Sequence, residues 1–252
     1  MSKVQLKKLV EDNFGYSEAV KNLRTNVQFS GNDVKVVALT SSLPGEGKSD
    51  TAYALAMSFS QMGKRTVFVD ADIRKSVLVS RLEVHEKVAG LSEYLSGQCV
   101  KEDIVYETNY DNLSVVFAGN YSANASELLE EELFTSLLAA LRRDYDIVIV
   151  DTPPLGVVTD CAIVARSCDG VLLVIESGAI SYRLLQKVKG QLEATGTRIL
   201  GVVLNKVSSD TEGYYGKYGK YGKYGKYGNY KKYDKYDKYG GYGSDKTGAE
   251  KK

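Results

Sequence analysis

The chain has 252 residues, 26% of them charged, with a formal net charge of +1. That length allows one large domain plus a tail, and no run reaches the roughly 18 apolar residues of a membrane span or has the form of an N-terminal signal peptide. Three cysteines without C-x-x-C spacing and one histidine, His85, exclude a disulfide framework and a zinc cluster and suit a reduced, cytosolic interior.

In chain order, short apolar, β-branched runs alternate with segments of helix length. The runs "VKVVALTS" (Val34–Ser41), "RTVFVDAD" (Arg65–Asp72), "NLSVVFAG" (Asn112–Gly119), "YDIVIVDT" (Tyr145–Thr152), "GVLLVIES" (Gly170–Ser177) and "RILGVVLN" (Arg198–Asn205) read as strands. Several are apolar throughout, which suits parallel strands covered on both faces. Lys48–Met62, Glu127–Arg142 and Tyr182–Ala194 read as helices between them. Alternation of this kind predicts an α/β fold with a parallel sheet flanked by helices on both faces. Such sheets bind ligands at the carboxyl ends of their strands.

The first run ends in "SSLPGEGKS". Its last eight residues follow the phosphate-loop pattern GxxxxGK[ST], with Ser42 in place of the first glycine. Pro44, Gly45, Glu46, Gly47, Lys48, Ser49 and Asp50 are therefore candidate nucleotide contacts. Gly45 and Gly47 let the backbone N–H groups turn inward toward phosphate oxygens. Lys48 is placed to reach the β- and γ-phosphates, and Ser49 to ligate Mg²⁺. The second run ends in "VFVDADIR", whose Asp70 and Asp72 share one side of an extended end. The fourth ends in "IVIVDTPP", where Asp151 closes a fully apolar strand as a Mg²⁺-holding Walker B aspartate does. Asn205 ends the last strand, where a nucleotide base contact is expected.

These three motifs together resemble the bacterial tyrosine kinases, and most closely the cytoplasmic kinase subunits of capsule and exopolysaccharide export in Gram-positive bacteria. "EAVKNLRTNVQFS" (Glu18–Ser30) is similar to that family's N-terminal helix and "GLSEYLSG" (Gly90–Gly97) to a recurrent middle segment. The resemblance implies a P-loop NTPase-type fold over residues 1–207, ATP and Mg²⁺ as cofactors, and protein-tyrosine kinase activity. It implies that Lys48 steadies the phosphates, that Asp70 takes the tyrosine proton, and that Asp72 and Asp151 with Ser49 hold Mg²⁺. It further implies a homo-oligomeric ring, a membrane-bound activator of the polysaccharide co-polymerase type, a cognate tyrosine phosphatase, and a cytoplasmic site of action at the inner face of the membrane. The family's E-x-x-R-x-x-R interface pattern reads here as Glu18, Lys21 and Arg24, where lysine keeps the charge and loses the bidentate fork. The same residues also read as a solvated face with an i,i+3 pair.

Residues 208–252 hold no Leu, Ile, Phe or Met, too little to bury a core, and read as a disordered tail. A tyrosine recurs there at every third position: Tyr215, Tyr218, Tyr221, Tyr224, Tyr227, Tyr230, Tyr233, Tyr236, Tyr239 and Tyr242. Between Tyr214 and Tyr242, eight lysines against two aspartates give a charge of +6, which leaves −5 on the rest of the chain. By the resemblance, these ten tyrosines are the acceptors of autophosphorylation between subunits. Each phosphate adds roughly −1.5 to −2 charges, so a few of them reverse the attraction of tail for body. Two other readings share features: a ParA/MinD-like positioning ATPase, whose usual loop lysine is replaced here by Leu43, and a nucleic-acid binder working through the Lys/Tyr tail. The second leaves the paired aspartates unexplained, and no nucleic-acid partner is expected.

Overall fold

The computed structural model describes residues 2–7, 9 and 14–207; the tail, its tyrosines and its proposed disorder lie outside the described residues. Eight strands form one sheet among these residues: β1 (Lys3–Val4), β2 (Val36–Ser41), β3 (Thr66–Asp70), β4 (Tyr106–Thr108), β5 (Leu113–Val116), β6 (Ile147–Asp151), β7 (Gly170–Glu176) and β8 (Ile199–Asn205). Their order across the sheet is β1-β4-β5-β3-β6-β2-β7-β8. All six anticipated strands form, and the neighbouring pairs from β5 to β8 are parallel. One edge departs from the pattern. The short strands β1 and β4 pair with each other in parallel, and β4 runs antiparallel to β5. Strands of two and three residues carry too little periodicity to be read from sequence.

Two apolar clusters lie on the sheet's two faces because successive strand residues point to opposite sides. Val37, Leu39, Phe68 and Ile149 meet Leu55 and Phe59 of helix α2 (Lys48–Ser60). Helix α1 (Phe14–Phe29) lies on this side, with Val27 in the same cluster. On the other face, Ala38, Val69 and Val150 join a cluster with Leu137 and Leu141. Val164, Val188 and Leu192 complete it. Three short helices, α3 (Leu78–Arg81), α4 (Leu91–Leu95) and α5 (Lys101–Ile104), precede β4.

The single helix read over 127–142 is two, α6 (Ala125–Glu130) and α7 (Glu132–Asp144). Glu131 breaks them with an extended ψ of 148°, and Leu129 and Phe134 are buried on either side of it. No glycine or proline marks that break, so burial on both sides decides it. Helices α8 (Asp160–Ala165) and α9 (Tyr182–Glu193) complete the second face. None of the described helices is long and apolar enough to cross a membrane.

Register places the site. Asp70 pairs with Asp151 across β3 and β6, and Leu39 of β2 lies opposite Asp151 on its other side. Three strand ends therefore open at one level beneath the phosphate loop.

Candidate active site

The turn from β2 into α2 needs glycine where the backbone is left-handed. Gly47 has φ 86°, and a Cβ there would stand 2.1 Å from Asn205 Nδ2. Asn205 occupies that space because its amide donates to the Glu46 carbonyl at 2.9 Å. Lys206 Nζ donates to the Gly45 carbonyl at 2.7 Å and to Glu176 at 2.8 Å. Glu46 is buried; its carboxylate accepts from Leu43 N at 2.7 Å and from Glu176 N at 3.2 Å. The residues expected to touch nucleotide thus include two, Glu46 and Asn205, whose polar side chains shape the loop.

Lys48 reaches from the first residue of α2 into the strand ends. Its Nζ lies 3.3 Å from Asp151 Oδ1, 3.5 Å from Asp72 Oδ2 and 3.1 Å from Ser49 Oγ. Burial works to lower its pKa, yet Asp151, Asp72 and Asp70 hold it above the ordinary lysine value. Asp70 is 2% exposed. Burial, and then the Asp151 charge, push it up to about 7, against the Ser76 hydroxyl and Lys48. One Asp70 oxygen accepts from Asp72 N at 3.2 Å and the other from the Ser76 hydroxyl. Burial raises Asp151 as well, with Lys48 opposing it. The structure brings together every sequence-predicted catalytic and metal-binding residue.

No group of three or more acidic, histidine or cysteine side chains forms a ready metal cage among the described residues. Asp72, Asp151 and Ser49 instead offer hard oxygens around one lysine. Mg²⁺ keeps several waters and takes one or two carboxylates plus substrate phosphates, so this donor set fits it.

Asp50, an acid beside the expected phosphates, forms an ion pair with Arg81 of α3. Arg74 is held by the fully buried Asp160, at 2.7 Å from Nε, and by Ser126 at 2.8 Å from Nη2. The proline loop after β6 is fixed by Thr40 Oγ1, which donates to the Pro153 carbonyl at 2.8 Å. It crosses so near the phosphate loop that a Cβ at Gly156 would stand 2.1 Å from the Ser42 carbonyl oxygen. Sequence reading missed Ser76, Arg74 and Arg81; the only signal for them is their position just after the paired aspartates. It also missed Lys206, which directly follows the flagged Asn205.

The expected interface residues lie on α1. Lys21 pairs with Glu18 at 2.7 Å, one turn away. Arg24 Nη1 donates to the Ser58 carbonyl and hydroxyl at 2.9 and 3.0 Å, fastening α1 to α2. Within one chain, all three therefore already have partners.

Residues 34–199 match the family model described as an AAA domain. The chain is 44% identical over 196 residues to the tyrosine-protein kinase CpsD of Streptococcus pneumoniae, covering 77% of this chain and 86% of that protein. It is 37% identical over 205 residues to the tyrosine-protein kinase YwqD of Bacillus subtilis, covering 79% of this chain and 86% of that one. The crystal structure of the chimerical protein CapA2B2 superposes with a TM-score of 0.75 at 31% identity, covering 82% of this chain and 93% of the other. Identity of this extent, across a fold that keeps all three strand-end motifs in one cleft, makes the chain a member of the bacterial tyrosine-protein kinase family.

Proposed function

We propose that the chain transfers the γ-phosphoryl group of ATP to protein tyrosines, residues 1–207 forming the catalytic domain and residues 208–252 the acceptor tail. One observation carries the reading: a buried carboxylate with a raised pKa, Asp70, stands beside a phosphate-loop lysine and two further aspartates. A phenol has an ordinary pKa near ~10, so a positioned base helps its oxygen attack as the proton leaves. The tyrosine oxygen forms its bond to the γ-phosphorus while the bond to the β-phosphate bridging oxygen breaks, ADP departs, and Asp70 receives the phenolic proton. Lys48 offsets the charge on the transferring phosphoryl oxygens, and the loop N–H groups orient the phosphates. Ser49, Asp72 and Asp151 would hold Mg²⁺, which supplies further neutralisation when bound.

The acceptors of the reading are the tail tyrosines Tyr215 to Tyr242, modified by a neighbouring subunit in a ring that uses Glu18, Lys21 and Arg24. A CapA-type membrane protein is the proposed activator, bringing the chain to the inner face of the membrane, where it regulates capsule or exopolysaccharide export. A tyrosine phosphatase reverses the modification. Incubation of the purified chain with Mg-ATP, with and without that activator, followed by mass spectrometry of the tail tests the activity; absence of phosphotyrosine in both arms overturns it. Transfer between subunits is tested by mixing a Lys48→Met chain that keeps the full ladder with an active chain truncated after Ser209. Label on the inactive chain supports it. Label found only on intact active chains, at a rate independent of concentration, refutes it.

A further inference from the structure

The active-site cleft, about 520 Å³ in volume, is chemically two-sided. Lys48 and the buried Asp70, Asp72 and Asp151 line it. Arg74, Lys75 and Arg81 also line it, together with two apolar groups: Val77 and Leu78, which follow β3 in the chain, and Pro153, Pro154, Val157 and Val158, which follow β6. Val77 is 55% exposed and Val157 58%. A single exposed valine is ordinary on a protein surface, but these two stand on the two loops that flank one charged cleft. No residue of β7 or β8 lines it. These apolar residues follow β3 and β6 in the chain, and neither Asn205 nor Lys206 lines the cleft.

We propose that Val77 and Val157, with the Pro153–Pro154 wall, form a slot for the phenol ring of the acceptor, and that the depth of this slot selects tyrosine over serine and threonine. The inference rests on the kinase reading and names the acceptor subsite of that same cleft. A tyrosine side chain is an apolar body with a polar tip. The cleft brings both kinds of partner together, the apolar Val77, Pro153, Pro154 and Val157 and the polar Lys48, Asp70, Asp72 and Asp151. Asp70, at 2% exposure, lies too deep for a hydroxyl one carbon from the backbone. A phenol hydroxyl reaches it while the acceptor backbone stays at the rim. Both walls are fixed. Thr40 bonds to the Pro153 carbonyl, and the Ser76 hydroxyl, joined to Asp70, accepts from Leu78 N at 3.1 Å. The ladder suits such a slot, because seven of its ten tyrosines are followed directly by glycine, which lets a backbone pass close to a surface.

The test uses the full chain carrying Val157→Ser or, separately, Val77→Ser, with Mg-ATP and a synthetic peptide of residues 215–228 as acceptor. Both valines are more than half exposed, so neither replacement empties the core. The expected result is a rise of about tenfold or more in the KM for peptide, with the KM for ATP as in the unaltered chain. The same peptide with serine in place of tyrosine is expected to receive no phosphate. A rise in the KM for ATP with the peptide KM unmoved places the nucleotide base between the valines and overturns the slot. Unchanged kinetics in both variants, or phosphorylation of the serine peptide, also overturns it. If the unaltered chain makes no phosphotyrosine at all, the kinase reading fails and takes the inference with it, whereas failure confined to the variants leaves that reading standing.

Discussion

On its β8 flank the phosphate loop is held by polar bonds that reach far along the chain: Asn205 to the Glu46 carbonyl, Lys206 to the Gly45 carbonyl, and Glu176 N to the Glu46 carboxylate. On its β3 flank the cleft is bounded by a four-residue helix, α3, two open valines and an ion pair, Arg81–Asp50, that is more than one-third exposed on both sides. The first flank fixes backbone groups that, on the proposed function, would receive the same polyphosphate at every turnover. The second, on the proposed function, would receive ten different tyrosines in turn. Bonds to backbone set position sharply, whereas apolar walls with an exposed pair bind a ring without fixing its neighbours. The difference matches a site with one donor and many acceptors.

The comparison breaks first at the floor that both flanks share. Lys48→Met is expected to reduce phosphotyrosine formation by about 10³-fold, measured by mass spectrometry, because among the described residues Lys48 is the cation paired with Asp72 and Asp151. Asp70→Asn is expected to lower kcat by about 10²-fold and, in the same protein, to raise stability. Asp70 has an ordinary pKa of 3.8 and a folded value near 7, so the folded chain favours its protonated form. Its contribution to stability is present below pH 3.8 and lost as pH rises through about 7. Thermal melts without nucleotide should therefore show Asp70→Asn about 3 °C above the unaltered chain at pH 8, a gain that shrinks steadily below pH 7 and vanishes only below pH 3.8. A melt difference of opposite sign would show that Asp70 is charged and well solvated in the fold.

Gly47→Ala tests the rigid flank. Its left-handed backbone and the 2.1 Å approach to Asn205 predict a destabilisation of about 2 kcal/mol and loss of ATP binding by calorimetry. Arg81→Ala tests the other flank and should be the mildest change, below about 1 kcal/mol in denaturant titration. It should leave ATP binding nearly intact, since it frees Asp50 without touching the loop backbone. If Arg81→Ala proved as damaging as Gly47→Ala, the contrast between the flanks would be wrong.

What could be read from sequence follows the same division. The phosphate loop and the aspartates at 70, 72 and 151 are local: each motif needs its residues side by side, and apolar strands announce where it sits. Register then carries Asp70 to Asp151, which no single motif contains. The proposed slot was not legible, because Val77 and Val157 are unremarkable valines until the fold brings both to line one cleft. Nor was the use of Arg24, whose guanidinium bonds to Ser58, 34 residues away. The antiparallel β4 and the break at Glu131 escaped for the opposite reason, since too few residues, or no special ones, mark them.

The braces of the phosphate loop come from residues 159 and 161 positions further along the chain. A polypeptide leaving the ribosome thus displays all three strand-end motifs well before the loop is secured. Asn205 and Lys206 are nearly the last residues to emerge ahead of the tyrosine ladder. The order of synthesis delivers the last braces of the phosphate loop just before the tyrosine ladder, so a nascent chain holds a secured loop only once its ladder is about to follow.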